Sequence, residues 1–332
     1  MKNQDIDKLL QSRKVDLAAI PPDQDIIIKI GDAIIGTSKN FGMIVGAPKA
    51  GKTKYMSAFA AAAIAGIPQF SIEVKISENR TVGYFDTEQG EWDISKMVGL
   101  MKAWTGEKNI PDFFQMYSVR EDMPEMVLKM VDYYLEKNPC QLLILDGILD
   151  MVLDYNNVRE SRLFMNWIKN ISKTKNLFVL TVLHLGKNEG QTLGHIGSMA
   201  DRYSQSVMEV TKEDNATFTL KPRLLRSAKN FDPINIGYNE VTRLWGQDES
   251  YAPKKIIHEK NLPEFLSREE HFANLSVIFD KTKIRTYPDL LACVTEVYGQ
   301  SQAWARKCIK LSVSKKWIIR NSDDNYSVNL FI

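Results

Sequence analysis

Short runs of consecutive apolar residues alternate with segments of helical periodicity along the first 250 residues. The apolar runs lie at 41–45, 81–88, 113–117, 141–147 and 176–184, and the helical segments lie at 55–64, 92–104 and 124–138. Strands and helices in alternation predict an α/β fold with a mainly parallel central sheet. Strands that lead into the first run are expected at 26–30 and 33–35, and edge strands at 206–211, 216–223 and 234–238.

The two ends of the chain have a different pattern. Residues 1–20 predict a short amphipathic helix, with Ile6, Leu9, Leu10 and Val15 among charged residues and two prolines after it. Such an arm could cap its own domain or pack against a neighbouring subunit. The predicted organisation is an N-terminal arm at 1–24, an α/β domain at 25–250, a Lys-containing linker at 251–266 and a small domain at 267–332.

The small domain carries three helix signals and a hairpin signal. A capping box at 267–270 opens a helix to about Phe279, Thr286 and Gly299 bound a second helix, and Ser301 opens a third. Two short apolar segments flank the turn residues 321–325, which predicts a hairpin.

Three helices followed by a hairpin resemble a winged helix. In that fold the third helix would present Gln302, Arg306 and Lys310 to a DNA groove, because a spacing of four places them on one face. Trp304, Ile309 and Leu311 are expected in its core. Many winged helices contact proteins instead, so that alternative stays open.

Composition and charge narrow the classes of partner. The chain has 332 residues, 44% of them hydrophobic, and no apolar run approaches the ~20 residues of a membrane helix. Three distant cysteines and no secretory signal lead us to expect a cytoplasmic protein. The net charge is only +2, but residues 281–320 contain 9 Lys+Arg against 2 Asp+Glu. This favours a polyanionic partner, with a solvated basic face as the alternative.

One segment fits the phosphate-binding pattern G-x-x-x-x-G-K-[ST], between the first apolar run and a helical segment. Backbone N–H groups and a helix N-terminus would then converge on a triphosphate. Lys52 would contact the β- and γ-phosphates, and Thr53 would bind Mg²⁺. A chance glycine turn before a helix is the alternative. The predicted nucleotide-binding residues are Gly46, Ala47, Pro48, Lys49, Ala50, Gly51, Lys52 and Thr53.

Polar residues end three of the other predicted strands. Glu88 is the candidate general base, with Asp86 as a structural neighbour, although both could cap a helix starting near Glu91. Asp146 ends an apolar strand and is expected beside Mg²⁺. His184 ends another strand, where it could sense the γ-phosphate or simply be a satisfied polar residue.

A segment with four glycines follows at 186–198 and is predicted to be a long functional loop. It offers Lys187 and His195 but no large aromatic residue. We therefore expect it to follow the phosphate backbone of single-stranded DNA without stacking on bases.

These motifs, in this order, resemble the RecA-like ATPase core, and especially the RepA-type hexameric replicative helicases and ATPases of mobile elements. The sequences that carry the resemblance are GAPKAGKT, YFDTEQ, LLILD, VLHLGKN, GHIGS and RSAKNF, within residues 25–247. It implies ATP and Mg²⁺ as cofactors, a homo-oligomer that could be a hexamer, and basic fingers offered to the next subunit's nucleotide. Arg226 and Lys229 are the matching residues, with a solvated basic strand end as the alternative.

The expected function is an ATP-hydrolysing, DNA-associated motor or loader, acting as a ring or filament with ATP at subunit interfaces. One alternative is an ATP-switched DNA-binding regulator or replication initiator that does not translocate. Another is a non-enzymatic adaptor with a degenerate ATPase core.

Overall fold

The computed structural model describes residues 3–17, 23–186, 192–213, 217–226, 228–240, 243–248, 263, 266, 268–279, 285–321 and 325–328. The chain forms two compact units, Met1–Tyr251 and Ala252–Ile332. Among the described residues, no helix combines the length and the apolarity that crossing a membrane requires.

The strands of the first unit form one large and one small sheet. They are β1 Ile26–Ile30, β2 Ala33–Thr37, β3 Phe41–Gly46, β4 Ile72–Val74, β5 Thr81–Asp86, β6 Phe114–Ser118, β7 Cys140–Asp146, β8 Phe178–His184, β9 Ser206–Lys212, β10 Phe218–Leu225, β11 Ile234–Asn239 and β12 Leu244–Gln247. The order in the large sheet is β12-β11-β10-β9-β3-β8-β7-β5-β6. Pairing is parallel from β9 to β6 and antiparallel from β12 to β9. The predicted mainly parallel central sheet is therefore confirmed. The three strands expected at 206–238 are β9, β10 and β11, and their antiparallel pairing was not predicted.

Helices cover both faces of the large sheet. They are α1 Asn3–Arg13, α2 Lys52–Ala65, α3 Glu91–Thr105, α4 Pro124–Lys137, a 3₁₀ helix Ile148–Met151, α5 Val158–Thr174 and α6 Gly194–Tyr203. One core cluster joins α2, α3 and β1 to one face of the sheet, and a second joins α4, α5 and α6 to the other. Alternate residues of each central strand enter opposite clusters, as Met43 and Ile44 of β3 do.

The sequence-based expectation left three parts of the first unit unassigned or wrongly bounded. Strands β1 and β2 do not extend the large sheet but pair antiparallel with each other and with β4 in a small sheet of order β2-β1-β4. Helix α5 was not predicted at all, although Asn157 caps it by accepting from the backbone N–H groups of Arg159 and Glu160. The predicted loop at 186–198 ends early, because α6 begins at Gly194.

The glycines near α6 explain the error. Gly197 packs so closely against Thr192 that a Cβ atom would lie 2.6 Å from the Thr192 Cβ. Glycine is needed there for close packing and not for flexibility, which the sequence alone does not distinguish.

The described residues of the second unit form three helices and a hairpin, as the capping and turn signals indicate. They are α7 Arg268–Phe279, α8 Tyr287–Tyr298, α9 Gln302–Ser314, β13 Ile318–Arg320 and β14 Tyr326–Val328, the last two antiparallel. The side chains of Thr286 and Ser301 cap α8 and α9. Trp304 and Ile309 are buried in the core of this unit, whereas Leu311, expected there, is only half-buried.

The buried Tyr55 hydroxyl ties the first turns of α2 to the antiparallel edge of the sheet. It lies 2.6 Å from the carbonyl oxygens of Phe218 and Ile234 and accepts from the Leu220 N–H at 3.0 Å. We expect Tyr55→Phe to lower the free energy of unfolding by about 1–3 kcal/mol in urea titrations, because buried backbone groups lose their partner. Tyr133→Phe, at a tyrosine that is 63% exposed, is the control. Equal stability of both variants would contradict this account.

Candidate nucleotide-binding site

The predicted phosphate-binding loop connects β3 to α2. Gly51 adopts φ +89°, and a Cβ atom there would collide with the Phe218 ring, so glycine is required on both counts. Helix α2 begins at Lys52, directly after this turn. The first N–H groups of a helix have no partner within the helix and carry its positive dipole end. The loop therefore provides an anion site of the kind that binds phosphate.

Lys52 lies folded into this loop. Its side chain is buried, and its ammonium group donates to the carbonyl oxygens of Gly46 at 3.2 Å and Ala47 at 3.0 Å. Burial lowers the pKa of Lys52, while Glu88 and Asp146 oppose that shift. Among the described residues the Lys52 ammonium has no anionic partner in direct contact, so a phosphate would be a stronger partner than the neutral carbonyls.

His184 connects Lys52 to the candidate base. Its Nδ1 lies 3.0 Å from the Lys52 ammonium, and its Nε2 lies 3.1 Å from Oε1 of Glu88. Because the ammonium can only donate, Nδ1 accepts, so Nε2 carries the proton that is donated to the carboxylate. The hydrogen bond from His184 is the largest cause that lowers the pKa of Glu88. Three residues predicted separately thus form one hydrogen-bonded chain, the Lys52–His184–Glu88 chain.

Asp146 ends β7 in a buried position beside this chain. The Tyr84 hydroxyl donates to its Oδ2 at 2.6 Å. Burial raises the pKa of Asp146 to about 7, and the neighbouring Asp86 contributes in the same direction. The carboxylate of Asp146 and the hydroxyl of Thr53 are oxygen donors of the kind that Mg²⁺ prefers. They fit a magnesium ion that takes its remaining ligands from water and phosphate.

Asp86 anchors the turn that carries Glu88. Its Oδ1 accepts from the backbone N–H groups of Glu88 at 2.9 Å and Gln89 at 2.8 Å. Its Oδ2 accepts from the Gln89 side chain at 2.9 Å. The side chain of Asp86 therefore positions the candidate base and is fully buried itself.

Several residues at the site were missed from the sequence. Thr87 lies between the ends of β5 and β7, where its hydroxyl is 2.8 Å from the Gly147 carbonyl oxygen and 3.2 Å from Oδ2 of Asp150. Tyr84 was read only as part of a strand. The YFDTEQ motif contains both residues but does not signal their roles, because each contact joins strands that are about 60 positions apart in sequence.

A cavity with a volume of about 480 Å³ opens beside the loop, between α2, α3 and β12. At one side of it the Lys54 ammonium lies 4.1 Å from the centre of the Trp245 ring and 4.9 Å from that of Phe218. Lys54, Trp245 and this cavity were not predicted. Its lining residues include Thr53, Ser57, Gln89, Asp93, Met97 and Leu100.

The predicted finger residues lie away from these contacts. Arg226 is exposed, and its guanidinium donates to the carbonyl oxygen of Arg202 at 2.8 Å. Lys229 is also exposed and borders a cavity at the turn between β1 and β2, near Asp32. Among the described contacts, none joins either residue to the loop at 46–53.

The predicted DNA-contacting residues are in three places. His195 is exposed in the first turn of α6, and Lys187 lies outside the described residues. Gln302, Arg306 and Lys310 are all exposed on α9.

The fold and these contacts define a P-loop nucleotide-binding core: a strand, glycine loop and helix with a buried lysine, beside a strand that ends in a buried aspartate. A family model described as "AAA domain" matches residues 8–190. That match covers more than half of the chain, so the chain belongs to this AAA domain family, which carries nucleotide binding and supports an ATP-dependent activity. No curated protein matches the chain.

The raised pKa of Asp146 predicts a pH dependence of stability in the presence of a chelator. Its pKa of about 7 in the folded state lies above the ordinary aspartate value of 3.8. The stability that the neutral carboxyl contributes is therefore complete below about pH 4 and is lost as the pH rises to 7. Asp146→Asn removes this titration, so we expect its advantage over the wild type to grow by a few kcal/mol between pH 4 and pH 7.

Urea unfolding at several pH values measures this difference. Asp112→Asn, at an exposed carboxylate, is the control and should follow the wild type. A difference between Asp146→Asn and wild type that does not change with pH would contradict the assignment.

Proposed function

We propose that this protein is an ATP-hydrolysing, DNA-associated motor or loader of the RecA-like, helicase-like type. It would act as a ring or filament with ATP bound between subunits. The observation that carries the proposal is the Lys52–His184–Glu88 chain, which joins the phosphate lysine to a carboxylate at the edge of the sheet. Simple nucleotide binding would need the lysine but not the carboxylate.

In the proposed reaction, Lys52 leaves the carbonyl oxygens of Gly46 and Ala47 to contact the β- and γ-phosphates of ATP. Mg²⁺ held by Thr53 and Asp146 would neutralise charge on the phosphates. Glu88, whose lowered pKa keeps it ionised, orients the attacking water and accepts its proton.

His184 is the proposed sensor in this site. Movement of Lys52 toward phosphate removes the donor at Nδ1, while Nε2 still holds Glu88. One residue further, Leu185 pairs with Thr192 in an isolated antiparallel bridge that closes the segment 186–191. A shift of His184 would therefore reach that segment directly. We propose that Lys187 in that segment, together with His195 in the first turn of α6, contacts the phosphates of single-stranded DNA.

In the proposed assembly, basic residues of a neighbouring copy complete the nucleotide-binding site. Arg226 and Lys229 are exposed, and no described contact ties them to their own phosphate loop. We propose that one or both contact the γ-phosphate bound to a neighbouring copy, where a basic side chain would stabilise charge in the transition state.

The second unit is proposed to be a winged helix that contacts duplex DNA. Two observations support this: the three helices precede an antiparallel hairpin, and Arg285 pairs with Tyr326 of β14 in a further bridge. Gln302, Arg306 and Lys310 are exposed on α9. This face also favours a second candidate function, an ATP-switched DNA-binding regulator that does not translocate.

Hydrolysis is tested by substituting the base and the lysine separately. We expect Glu88→Gln to lower the ATPase kcat by about 10²–10⁴-fold while ATP still binds, because only the proton acceptor is lost. Lys52→Ala should lose ATP binding as well. Glu91→Gln, at an exposed carboxylate in the first turn of α3, is the control. Phosphate release with and without single-stranded DNA, and equilibrium ATP binding, are the measurements.

Each outcome decides between the candidates. Normal turnover in Glu88→Gln removes this residue as the base, and no turnover in the wild type with DNA favours an adaptor. Strand displacement on a forked duplex, lost in Lys52→Ala, supports the motor. ATP-dependent, site-specific duplex binding without displacement supports the regulator.

The DNA contact of α9 is tested by removing two charges from its exposed face. In Arg306→Ala with Lys310→Ala we expect weaker duplex binding and a salt slope reduced by about 1.8, since each phosphate contact contributes about 0.9. Lys137→Ala with Lys173→Ala removes the same charge from exposed positions of α4 and α5 and is the matched control. Fluorescence anisotropy at several salt concentrations measures the slope. An unchanged slope would place the DNA contact elsewhere.

A further inference from the structure

Helix α1 exposes an apolar stripe that no described part of its own chain buries. Ile6, Leu9 and Leu10 have helical spacing on one face, and they are 43%, 38% and 63% exposed. The chain continues with Val15 and Leu17, which are 72% and 94% exposed. An isolated helix of 11 residues is marginal in water, because helices of that length depend on packing of their apolar face. We therefore expect the apolar stripe of α1 to pack on another protein surface.

The same chain has an apolar groove that none of its described helices occupies. The groove has a volume of about 430 Å³ and lies between α4, α5 and the 3₁₀ helix. We call it the α4–α5 groove. Leu153 and Leu163 line it and are 64% and 61% exposed. Exposed apolar surface of this kind marks interaction sites, and a groove between helices suits an amphipathic helix. Its other lining residues are Pro124, Glu125, Leu128, Met151, Val152, Glu160, Phe164 and Trp167.

The charges of the two surfaces are complementary. Glu125 and Glu160 line the α4–α5 groove, and none of the other described residues lining it is charged. The arm ends in Arg13 and Lys14, directly after the apolar stripe. Apolar anchors followed by two cations thus match an apolar groove with two carboxylates, which would also fix the direction in which the helix enters.

The arm joins its own chain on the far side from the groove. It leads into β1, whose core residues pack with α2 and α3, whereas α4 and α5 pack on the opposite face of the large sheet. Asp25, just before β1, accepts from the Ser38 N–H, near the start of β3. The α4–α5 groove lies instead where β6 and β7 end.

This position favours a groove on another copy. The connection at 14–25 has 12 residues and could span at most about 40 Å. To reach its own groove, it would have to cross to the opposite face of the large sheet and to the opposite end of its strands. A groove on a second copy needs no such path.

We propose that α1 of one copy docks into the α4–α5 groove of a second copy, with its stripe on Leu153 and Leu163 and its basic end beside Glu125 and Glu160. Repeated head to tail, this contact builds a ring or filament. The inference rests on the homo-oligomer of the proposed function, but it does not depend on ATP hydrolysis or on DNA.

Cross-linking between two single-cysteine variants of the full chain tests the contact. Both carry Cys293→Ser, because Cys140 and Cys308 are already buried. We mix Leu10→Cys with a size-tagged Leu163→Cys and add a short bismaleimide. The expected product is a covalent heterodimer, in at least tenfold higher yield than when Ile67→Cys, equally 61% exposed, replaces Leu163→Cys.

Equal yields from the two mixtures would overturn the proposal. So would a cross-link that forms only within a chain carrying both Leu10→Cys and Leu163→Cys, because the arm would then occupy its own groove.

Mass measurement separates this contact from assembly in general. We expect Leu10→Asp to lower the mass of the assembly by light scattering, with or without ATP, while its far-ultraviolet circular dichroism stays that of the wild type. An assembly of unchanged mass in Leu10→Asp would overturn the arm contact and leave the proposed ring standing. A wild-type monomer at every concentration and with ATP would overturn both.

Discussion

The rest of the site depends on one constraint: parallel strands place their carboxyl ends at a single edge of the sheet. β3, β5, β7 and β8 all end there, and they supply the loop, Glu88, Asp146 and His184 respectively. Because β8 lies between β3 and β7, His184 stands beside Lys52 and close enough to Glu88 to hydrogen-bond both. The positive charge of buried Lys52 and the negative charges of Glu88 and Asp146 can then offset one another, although no described ion pair joins them directly.

The two carboxylates at this edge, Glu88 and Asp146, have pKa values that are shifted in opposite directions. Glu88 has a lowered pKa because His184 donates to it, whereas burial among other carboxylates raises the pKa of Asp146 to about 7. An ionised carboxylate suits proton acceptance from water, and a buried one held by the Tyr84 hydroxyl gains most from a cation. Environment alone therefore distinguishes the carboxylate that we propose as the base from the one that we propose as the metal ligand.

Much of this arrangement could be predicted from the sequence, since a motif with correct flanks reports local structure. The loop, the strand that ends in Asp146 and the capped helices α8 and α9 are of this kind. Tyr84 and the Lys54–Trp245 contact could not be predicted, because they depend on which distant strands become neighbours. Helix α6 was missed for another reason: its glycines allow close packing, and composition alone made them resemble a flexible loop.

The bridge between Leu185 and Thr192 separates His184, which contacts Lys52 and Glu88, from the segment 186–191. It fixes both ends of the segment 186–191 at the edge of the sheet, so residues inside that segment can change without moving His184. Loops held at both ends tolerate changes in sequence and length at a small entropic cost. The amino-acid sequence between Leu185 and Thr192 can thus vary while the contacts of His184 with Lys52 and Glu88 stay constant.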